Sequence, residues 1–188
     1  MRLLSTSAMG GVVENWRVDL VVTHRDLFQS PSDFPGAAEG LPWCDAGWRD
    51  VLDRLCVRIR SAVQADGGSF KFTQVQEKYG TLRVYWDGKL SPDADACVEE
   101  AIALAEARSG VTCEVCGEKG HLRGGAWLTT RCDAHSERRP RIEHRCGFEN
   151  VHLVRHFVDG RRFITCHRYD RLNDVFVDVD TASLGIEE

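Results

Sequence analysis

The sequence predicts an α+β protein in which two amphipathic helices pack on an antiparallel hairpin. Two long segments repeat apolar residues at steps of three and four, as amphipathic helices do, and the segment between them alternates with the period of two that strands have. A C-terminal block of short alternating runs predicts an antiparallel β-meander. The 43% apolar and 28% charged content of the 188 residues is typical of a globular protein.

The first helix is predicted within residues 44–68, "CDAGWRDVLDRLCVRIRSAVQADGG". Its apolar stripe consists of Trp48, Val51, Leu52, Leu55, Cys56, Ile59, Ala62 and Val63. Asp45 is a candidate N-cap, and Gly67-Gly68 is a stop signal. Cys56 lies on the stripe and is therefore expected to be a small core residue.

Residues 69–88, "SFKFTQVQEKYGTLRVYWDG", predict the hairpin, with Tyr79-Gly80 at its turn. The side chains expected on its inner face are Phe70, Phe72 and Val75 in the first strand, and Leu82, Val84 and Trp86 in the second. A second helix follows, because Ser91 is a suitable N-cap, Pro92 suits the first helical position and Gly110 suits the end. Its predicted stripe is Ala94, Val98, Ile102, Leu104 and Ala105.

The regions outside this core are less regular. Residues 1–45 are predicted to be an irregular N-terminal segment, in which 11–28 fits a helix or a strand and the helix is favoured. Residues 46–135 form the predicted core. Residues 146–182 form the predicted meander, with Asp159-Gly160 as a two-residue turn, and the polar joint around 136–145 is the expected hinge.

The segment 113–135, "CEVCGEKGHLRGGAWLTTRCDAH", has the spacing of a metal site. Cys113 and Cys116 form one pair with two residues between them, Cys132 and His135 form a second, and fifteen residues separate the pairs. Zinc takes four such ligands in a tetrahedron, and Gly117 suits the turn of a knuckle. We therefore expect Zn²⁺ here; iron–sulfur clusters more often use four Cys.

The predicted coordination is closed, since four protein ligands leave no position for water or substrate. The zinc is therefore expected to stabilise the fold, and no catalytic residues are predicted. His121 is an alternative fourth ligand, and His144, Cys146 and His152 lie close enough in sequence to extend the cluster. These alternatives remain open from the spacing alone.

The compartment is predicted to be the cytoplasm. The N-terminal "MRLLSTSAMGGVVENW" lacks the apolar stretch of a signal peptide, and no segment reaches the roughly 18 apolar residues of a membrane span. Eight Cys in a reducing compartment favour metal binding over disulfides. No membrane partner is expected.

An Arg-rich block stands out in a chain of formal net charge −5. Residues 121–171 contain eleven Arg, no Lys and six acidic residues, which gives this block a net charge of +5. The candidate residues for contact with an anionic partner are Arg138, Arg139, Arg141, Arg145, Arg161 and Arg162. Exposed Arg side chains that only cover a sheet are the alternative interpretation.

Other candidates for chemistry are weaker. Cys166 and His167 are adjacent in a predicted strand, so their side chains are expected on opposite faces and cannot form a nucleophile–base pair. The hairpin carries the residue types of a platform for single-stranded nucleic acid, namely Lys78, Tyr79, Arg83, Tyr85 and Trp86. Packing of its aromatic side chains against the helices is the favoured interpretation, because a hairpin must bury one face.

Four stretches of residues 46–180 together resemble a family of small uncharacterised proteins from bacterial genomes and prophages. The stretches are "GWRDVLDRLCVRI", "TQVQEKYGTLRVYW", "AEARSGVTCEVCGEKGHLRGGAWLTTRCDAH" and "CHRYDRLNDVFVDVD". The resemblance implies Cys113, Cys116, Cys132 and His135 as the metal ligands and implies no activity.

The expected function is that of a zinc-stabilised, non-enzymatic binding protein that acts through another protein. The family resemblance implies a phage or mobile-element setting, for instance inhibition of a host defence complex. A nucleic-acid-binding regulator that uses the Arg-rich residues 138–171 is the alternative, and a metal-dependent enzyme is the third hypothesis. The sequence does not predict an oligomeric state.

Overall fold

The computed structural model describes residues 15–29, 33–158 and 161–186, with side chains described outside 155–158 and 161–164. The helices are α1 (Trp16–Thr23), α2 (Arg25–Phe28), α3 (Arg49–Asp66) and α4 (Pro92–Ser109). The strands are β1 (Ser69–Lys78), β2 (Thr81–Lys89), β3 (His121–Arg123), β4 (Thr129–Arg131), β5 (Val151–Val158), β6 (Arg161–Asp170) and β7 (Val175–Val179). The predicted α+β class is confirmed.

The N-terminal helix favoured by the sequence is confirmed for the described part, and it is interrupted at His24. The backbone of His24 (φ −117°, ψ 37°) is not helical, and its side chain is buried. The ring lies between two polar partners, with Nε2 2.8 Å from Asp53 Oδ1 and Nδ1 2.8 Å from Arg60 Nη2. The break in the helix therefore places a buried imidazole against α3. Residues 11–14 of the predicted helix lie outside the described residues.

The long helix α3 begins later than its stripe predicts. A short 3₁₀ turn, Ala46–Trp48, precedes it, and the Asp45 side chain makes no capping hydrogen bond. That carboxylate instead lies 3.2 Å from the Arg131 guanidinium, so the predicted N-cap role is wrong. The end is as predicted, since Gly67 adopts φ +74°.

The three β1 side chains that the sequence predicts for the inner face of the β1–β2 hairpin are confirmed as buried. Phe70, Phe72 and Val75 are all buried, although Val75 breaks the strict period of two. A bulge between Phe72 and Gln74 shifts the register by one residue and turns Val75 inward. These side chains join those of α1–α4 in one apolar cluster that includes Trp48, Ile59 and Val98.

Helix α4 starts as predicted, because the Ser91 side chain accepts a hydrogen bond from the Ala94 N–H and Pro92 occupies the first turn. Its buried surface is broader than the predicted stripe. Val98 and Ile102 face the main core, whereas Leu104 and Ala107 pack in a second cluster around Tyr169. The helix therefore packs between the core and the C-terminal sheet.

The C-terminal meander is confirmed as an antiparallel sheet in the order β5-β6-β7. It does not extend the hairpin, since within the described residues β1–β2, β3–β4 and β5–β7 form separate sheets. Buried Asp174, in the β6–β7 connection, accepts hydrogen bonds from Tyr169 (2.5 Å) and from Arg58 of α3 (2.9 Å). The predicted Asp159-Gly160 turn lies outside the described residues.

Candidate metal centre

Four side chains converge where the Cys/His segment folds back on itself. The Sγ atoms of Cys113, Cys116 and Cys132 and a ring nitrogen of His135 all lie within 4.8 Å of one another. Cys113 is buried, Cys132 and His135 are half-buried, and Cys116 is exposed. The four ligands predicted from the spacing are therefore brought together.

Three of the distances between these donor atoms are close to the edges of a metal tetrahedron. Bonds of about 2.3 Å to sulfur and about 2.0 Å to nitrogen give S···S edges of about 3.8 Å and S···N edges of about 3.5 Å. Cys116 Sγ lies 3.8 Å from Cys132 Sγ. His135 Nδ1 lies 3.7 Å from Cys113 Sγ and 3.2 Å from Cys132 Sγ. The cluster can thus hold one small tetrahedral ion.

The first pair of ligands lies on a tight knuckle. The Gly117 N–H donates a 2.8 Å hydrogen bond to the Cys113 carbonyl, which closes the turn, and Gly117 has the predicted positive φ of +79°. The Cys113 N–H donates to the Glu118 carbonyl at 2.7 Å. Both bonds fix the backbone between the two sulfurs, so the loop is pre-formed for a metal.

The second pair follows the short ribbon in which β4 (Thr129–Arg131) pairs with β3 (His121–Arg123). Buried Arg123 of β3 donates to the carbonyls of Arg131 and Arg139, each at 3.0 Å, and to the Asp133 carboxylate at 2.5 Å. Asp133 lies between the two ligands of this pair. Arg123 therefore positions the loop that carries Cys132 and His135.

The electrostatic environment favours a thiolate at Cys113. Burial opposes ionisation, but backbone N–H groups of Cys132, Cys116 and Val115 outweigh it and lower the thiol pKa to about 7. Cys116 accepts from the Glu118 backbone, yet burial and its neighbouring sulfurs raise its pKa to about 11. A cation at the centre is what allows several close thiolates to coexist.

The cluster is attached to the main core at two short sequence motifs. In "GW", the Gly47 N–H donates to the Glu114 carbonyl at 2.7 Å, and a Cβ on Gly47 would lie 2.4 Å from the Cys113 carbonyl oxygen. The Trp48 indole donates to the Thr112 carbonyl at 2.8 Å. Both contacts place the start of α3 directly against the first knuckle.

The second motif is "EKYG" at the hairpin tip. The Glu77 carboxylate accepts from the Gly80 N–H, and the Gly80 carbonyl accepts from the buried Thr130 hydroxyl, both at 2.6 Å. Gly80 adopts φ +82°, and a Cβ there would lie 2.5 Å from the Leu122 side chain. The ribbon β3–β4 therefore packs on the tip of β1–β2.

The alternative ligands do not join the cluster. In the part of the chain that the structure describes, the only group of metal-binding side chains consists of the four predicted ligands. His121 lies on β3, opposite Arg131, and burial lowers its pKa. His144, Cys146 and His152 are likewise outside the group.

Much of the Arg-rich block contacts the protein itself. The Arg139 guanidinium stacks 4.5 Å from the Trp127 ring centroid and donates to the Trp127 carbonyl. Arg141 donates two hydrogen bonds of 2.6 and 2.7 Å to Asp133, and Arg145 lies 5.4 Å from the Phe148 ring. Arg138 is exposed, and the Arg161 and Arg162 side chains lie outside the described residues.

Strand pairing also creates a polar row that the sequence reasoning missed. His152, His167 and Asp178 are direct partners across β5, β6 and β7. His167 Nδ1 lies 2.9 Å from Asp178, whereas Cys166 is buried on the opposite face, as predicted. The row lines a groove of about 750 Å³ against α4. Only the strand register, which alternation does not give, could have revealed it.

The comparisons with known proteins give no family. No protein-family model, curated protein or solved structure matches the chain. The resemblance to small bacterial and prophage proteins therefore stays a prediction. No helix among the described residues is long and apolar enough to cross a membrane.

Proposed function

We propose that this chain is a non-enzymatic binding protein whose fold is stabilised by one structural Zn²⁺. The observation that supports the metal is the convergence of Cys113, Cys116, Cys132 and His135, whose donor atoms all lie within 4.8 Å of one another and are 3.2–3.8 Å apart in three of the pairs. Such a ligand set is typical of structural zinc, and its closed sphere leaves no position for a substrate. A metal-dependent enzyme is therefore not favoured.

A structural role is also supported by what the cluster connects. Residues next to the metal ligands form hydrogen bonds with Gly47 and Trp48 at the start of α3. On the ribbon, Thr130 forms a hydrogen bond with the hairpin tip. The segment itself contributes few side chains to the main apolar cluster. A metal ion that ties the two pairs together would therefore replace the core that this part of the chain lacks.

The proposed partner is another protein, in a phage or mobile-element setting such as inhibition of a host defence complex. Support comes from the acidic surface of α4, where the groove against the meander is lined by Glu99, Glu100, Glu106 and Asp178 and, among the side chains that the structure describes, by no Lys or Arg. Such a surface is complementary to a basic segment of a partner. The proposed compartment is the cytoplasm.

Nucleic-acid binding through residues 138–171 is the second candidate function. Its strongest support was the charge of the block, but Arg139 and Arg141 make internal contacts. Those contacts reduce the number of guanidinium groups that could reach phosphates. The protein-partner proposal is therefore preferred.

Two measurements test this proposal. Elemental analysis of the purified chain should find about one zinc per chain and no iron. A pull-down from the native host should then recover a partner that the double variant Glu99→Gln/Glu100→Gln fails to retain. Asp93→Asn/Asp95→Asn, which neutralises two acidic residues in the first turn of the same helix, is the matched control. Equal capture of the partner by the wild type and by both double variants would contradict a role of the acidic surface in binding.

A further inference from the structure

On the face of the β1–β2 hairpin that is turned away from the core, one further residue, Trp43, pairs with the free edge of β1. Trp43 forms a parallel bridge with Gln76, in which its N–H donates to the Val75 carbonyl (2.9 Å) and its carbonyl accepts from the Glu77 N–H (3.0 Å). Gln76 is also the direct partner of Arg83 on β2. Directly paired residues project to the same face, so Trp43, Gln76 and Arg83 form one row.

Two more rows flank this one. Gln74 pairs with Tyr85 on one side, and Lys78 pairs with Thr81 on the other. We call these seven residues the hairpin platform: Trp43, Gln74, Gln76, Lys78, Thr81, Arg83 and Tyr85. Trp43 is 78% exposed and Tyr85 is 48% exposed, so two aromatic rings are accessible on an open sheet.

The hairpin platform is locally basic in an acidic chain. It contains Lys78 and Arg83 and no carboxylate, whereas the whole chain has a formal net charge of −5. Glu77 projects to the other face by alternation, and its carboxylate accepts from the Gly80 N–H. Arg83 lies 3.5 Å from Glu106 and donates to the Thr81 hydroxyl and the Leu82 carbonyl, each at 2.6 Å. Its side chain is about one-third exposed, so a phosphate would replace Glu106 as the ionic partner of Arg83.

We propose that the hairpin platform binds single-stranded nucleic acid. Unpaired bases would stack on Trp43 and Tyr85, and Lys78 and Arg83 would contact the phosphates. The side-chain amides of Gln74 and Gln76 offer donors and acceptors to base edges. A duplex has its bases already stacked and offers no ring face to this surface, so single strands are preferred.

Single-stranded nucleic acid fits this surface better than a protein partner does. The centre of a protein interface is depleted of charged residues, whereas here Arg83 lies in the same row as Trp43, and the rows of Tyr85 and Lys78 flank it. Aromatic rings that lie beside cations suit the bases and phosphates of a single strand. The proposal goes beyond the zinc-stabilised binding function and uses none of the Arg-rich residues 138–171.

The test measures binding of fluorescent oligothymidylate and oligouridylate of about fifteen nucleotides to the zinc-loaded full chain, with a duplex of the same length beside them. Trp43→Ala and Tyr85→Ala should each weaken single-strand binding by about tenfold, since each removes a stacking ring. Tyr85→Phe keeps the ring and should bind as the wild type does. Trp127→Ala, which removes an aromatic residue that is 65% exposed on the ribbon, is the matched control.

The salt dependence provides a second readout. Two phosphate contacts on a single strand predict a slope of log K against log salt of about −1.4, and Lys78→Ala should bring it to about −0.7. Equal binding of the two oligonucleotides would assign the site to single strands in general, and a preference for one would assign it to RNA or DNA. No binding, equal binding of duplex, or binding that is lost in Arg138→Ala but kept in Trp43→Ala would overturn the proposal.

Discussion

The indole N–H of Trp48 donates a 2.8 Å hydrogen bond to the carbonyl oxygen of Thr112, the residue directly before Cys113. Both residues are buried, with exposed fractions of 0% and 3%. The first turn before α3 is thus bonded to the backbone that carries the first metal ligand. Stability of the core and formation of the cluster should therefore be coupled.

Trp48→Phe tests this coupling. The variant keeps an aromatic ring but removes the donor, so the Thr112 carbonyl loses its side-chain partner in a buried position. We expect the free energy of unfolding to fall by about 1–3 kcal/mol in urea titrations. Trp43→Phe, at an exposed position, is the control and should change it by less than about 0.5 kcal/mol. Equal effects in the two variants would contradict the coupling.

Gly80→Ala tests the contact between the hairpin tip and the ribbon. Gly80 has a positive φ and a Cβ there would meet Leu122, whereas Gly67 has a similar φ of +74° with open space around its Cβ position. Gly67→Ala therefore reports the backbone strain alone, about 1 kcal/mol. We expect Gly80→Ala to lose clearly more stability than Gly67→Ala in thermal unfolding. Equal losses would show that the ribbon does not pack closely on the tip.

Arg123→Met tests the positioning of the second ligand pair. Arg123 is 4% exposed and bonds to Asp133, so its loss should loosen the loop of Cys132 and His135. Residues that orient metal ligands typically change affinity by about 10–100-fold, and we expect a loss in that range in zinc competition titrations. Arg141→Ala removes a more exposed partner of Asp133 and should have a smaller effect. The reverse order would refute the role assigned to Arg123.

Asp174 gives a pH dependence to the attachment of the meander. Burial alone would raise the pKa of this carboxyl, but the Tyr169 hydroxyl and Arg58 outweigh it, and the pKa is lowered. A lowered pKa in the folded state contributes stability above the unfolded pKa of about 3.9, and this contribution is lost as the pH falls through the folded pKa.

We therefore expect the free energy of unfolding to decrease on acidification below about pH 4, and Asp174→Asn to reduce that decrease. Unfolding in urea at neutral and acidic pH measures both. Asp178→Asn removes a carboxylate that is 94% exposed on the same sheet, and it controls for the loss of one charge. A variant with Asn at position 174 that keeps the full pH dependence would exclude this carboxyl as its source.

Local patterns were sufficient where a short segment determines its own structure. The capping by Ser91 and Pro92 and the end of α3 at Gly67 follow from the sequence because each depends on neighbours within a few residues. The metal ligands were predictable for the same reason: each pair occupies a single turn, and two pairs at ribbon spacing complete a tetrahedron.

Contacts between distant segments were not predictable in this way. The bridge from Trp43 to Gln76 and the row of His152, His167 and Asp178 depend on strand pairing, which alternation within one segment does not specify. The Arg-rich block carries its positive charge as predicted, but its composition could not show that Arg139 stacks on Trp127. Likewise, the role of Gly47 depends on how closely the knuckle approaches it.

Cys113→Ser tests whether Cys113, Cys116, Cys132 and His135 hold a structural zinc ion. Zinc content and melting temperature should be measured on the same samples, with Cys56→Ser, a buried thiol outside the cluster, as the control. We expect Cys113→Ser to lose the zinc and to melt well below the wild type or fail to fold, whereas Cys56→Ser should keep its zinc. A Cys113→Ser protein that lacks zinc and keeps the wild-type melting temperature would show that the metal does not stabilise the fold.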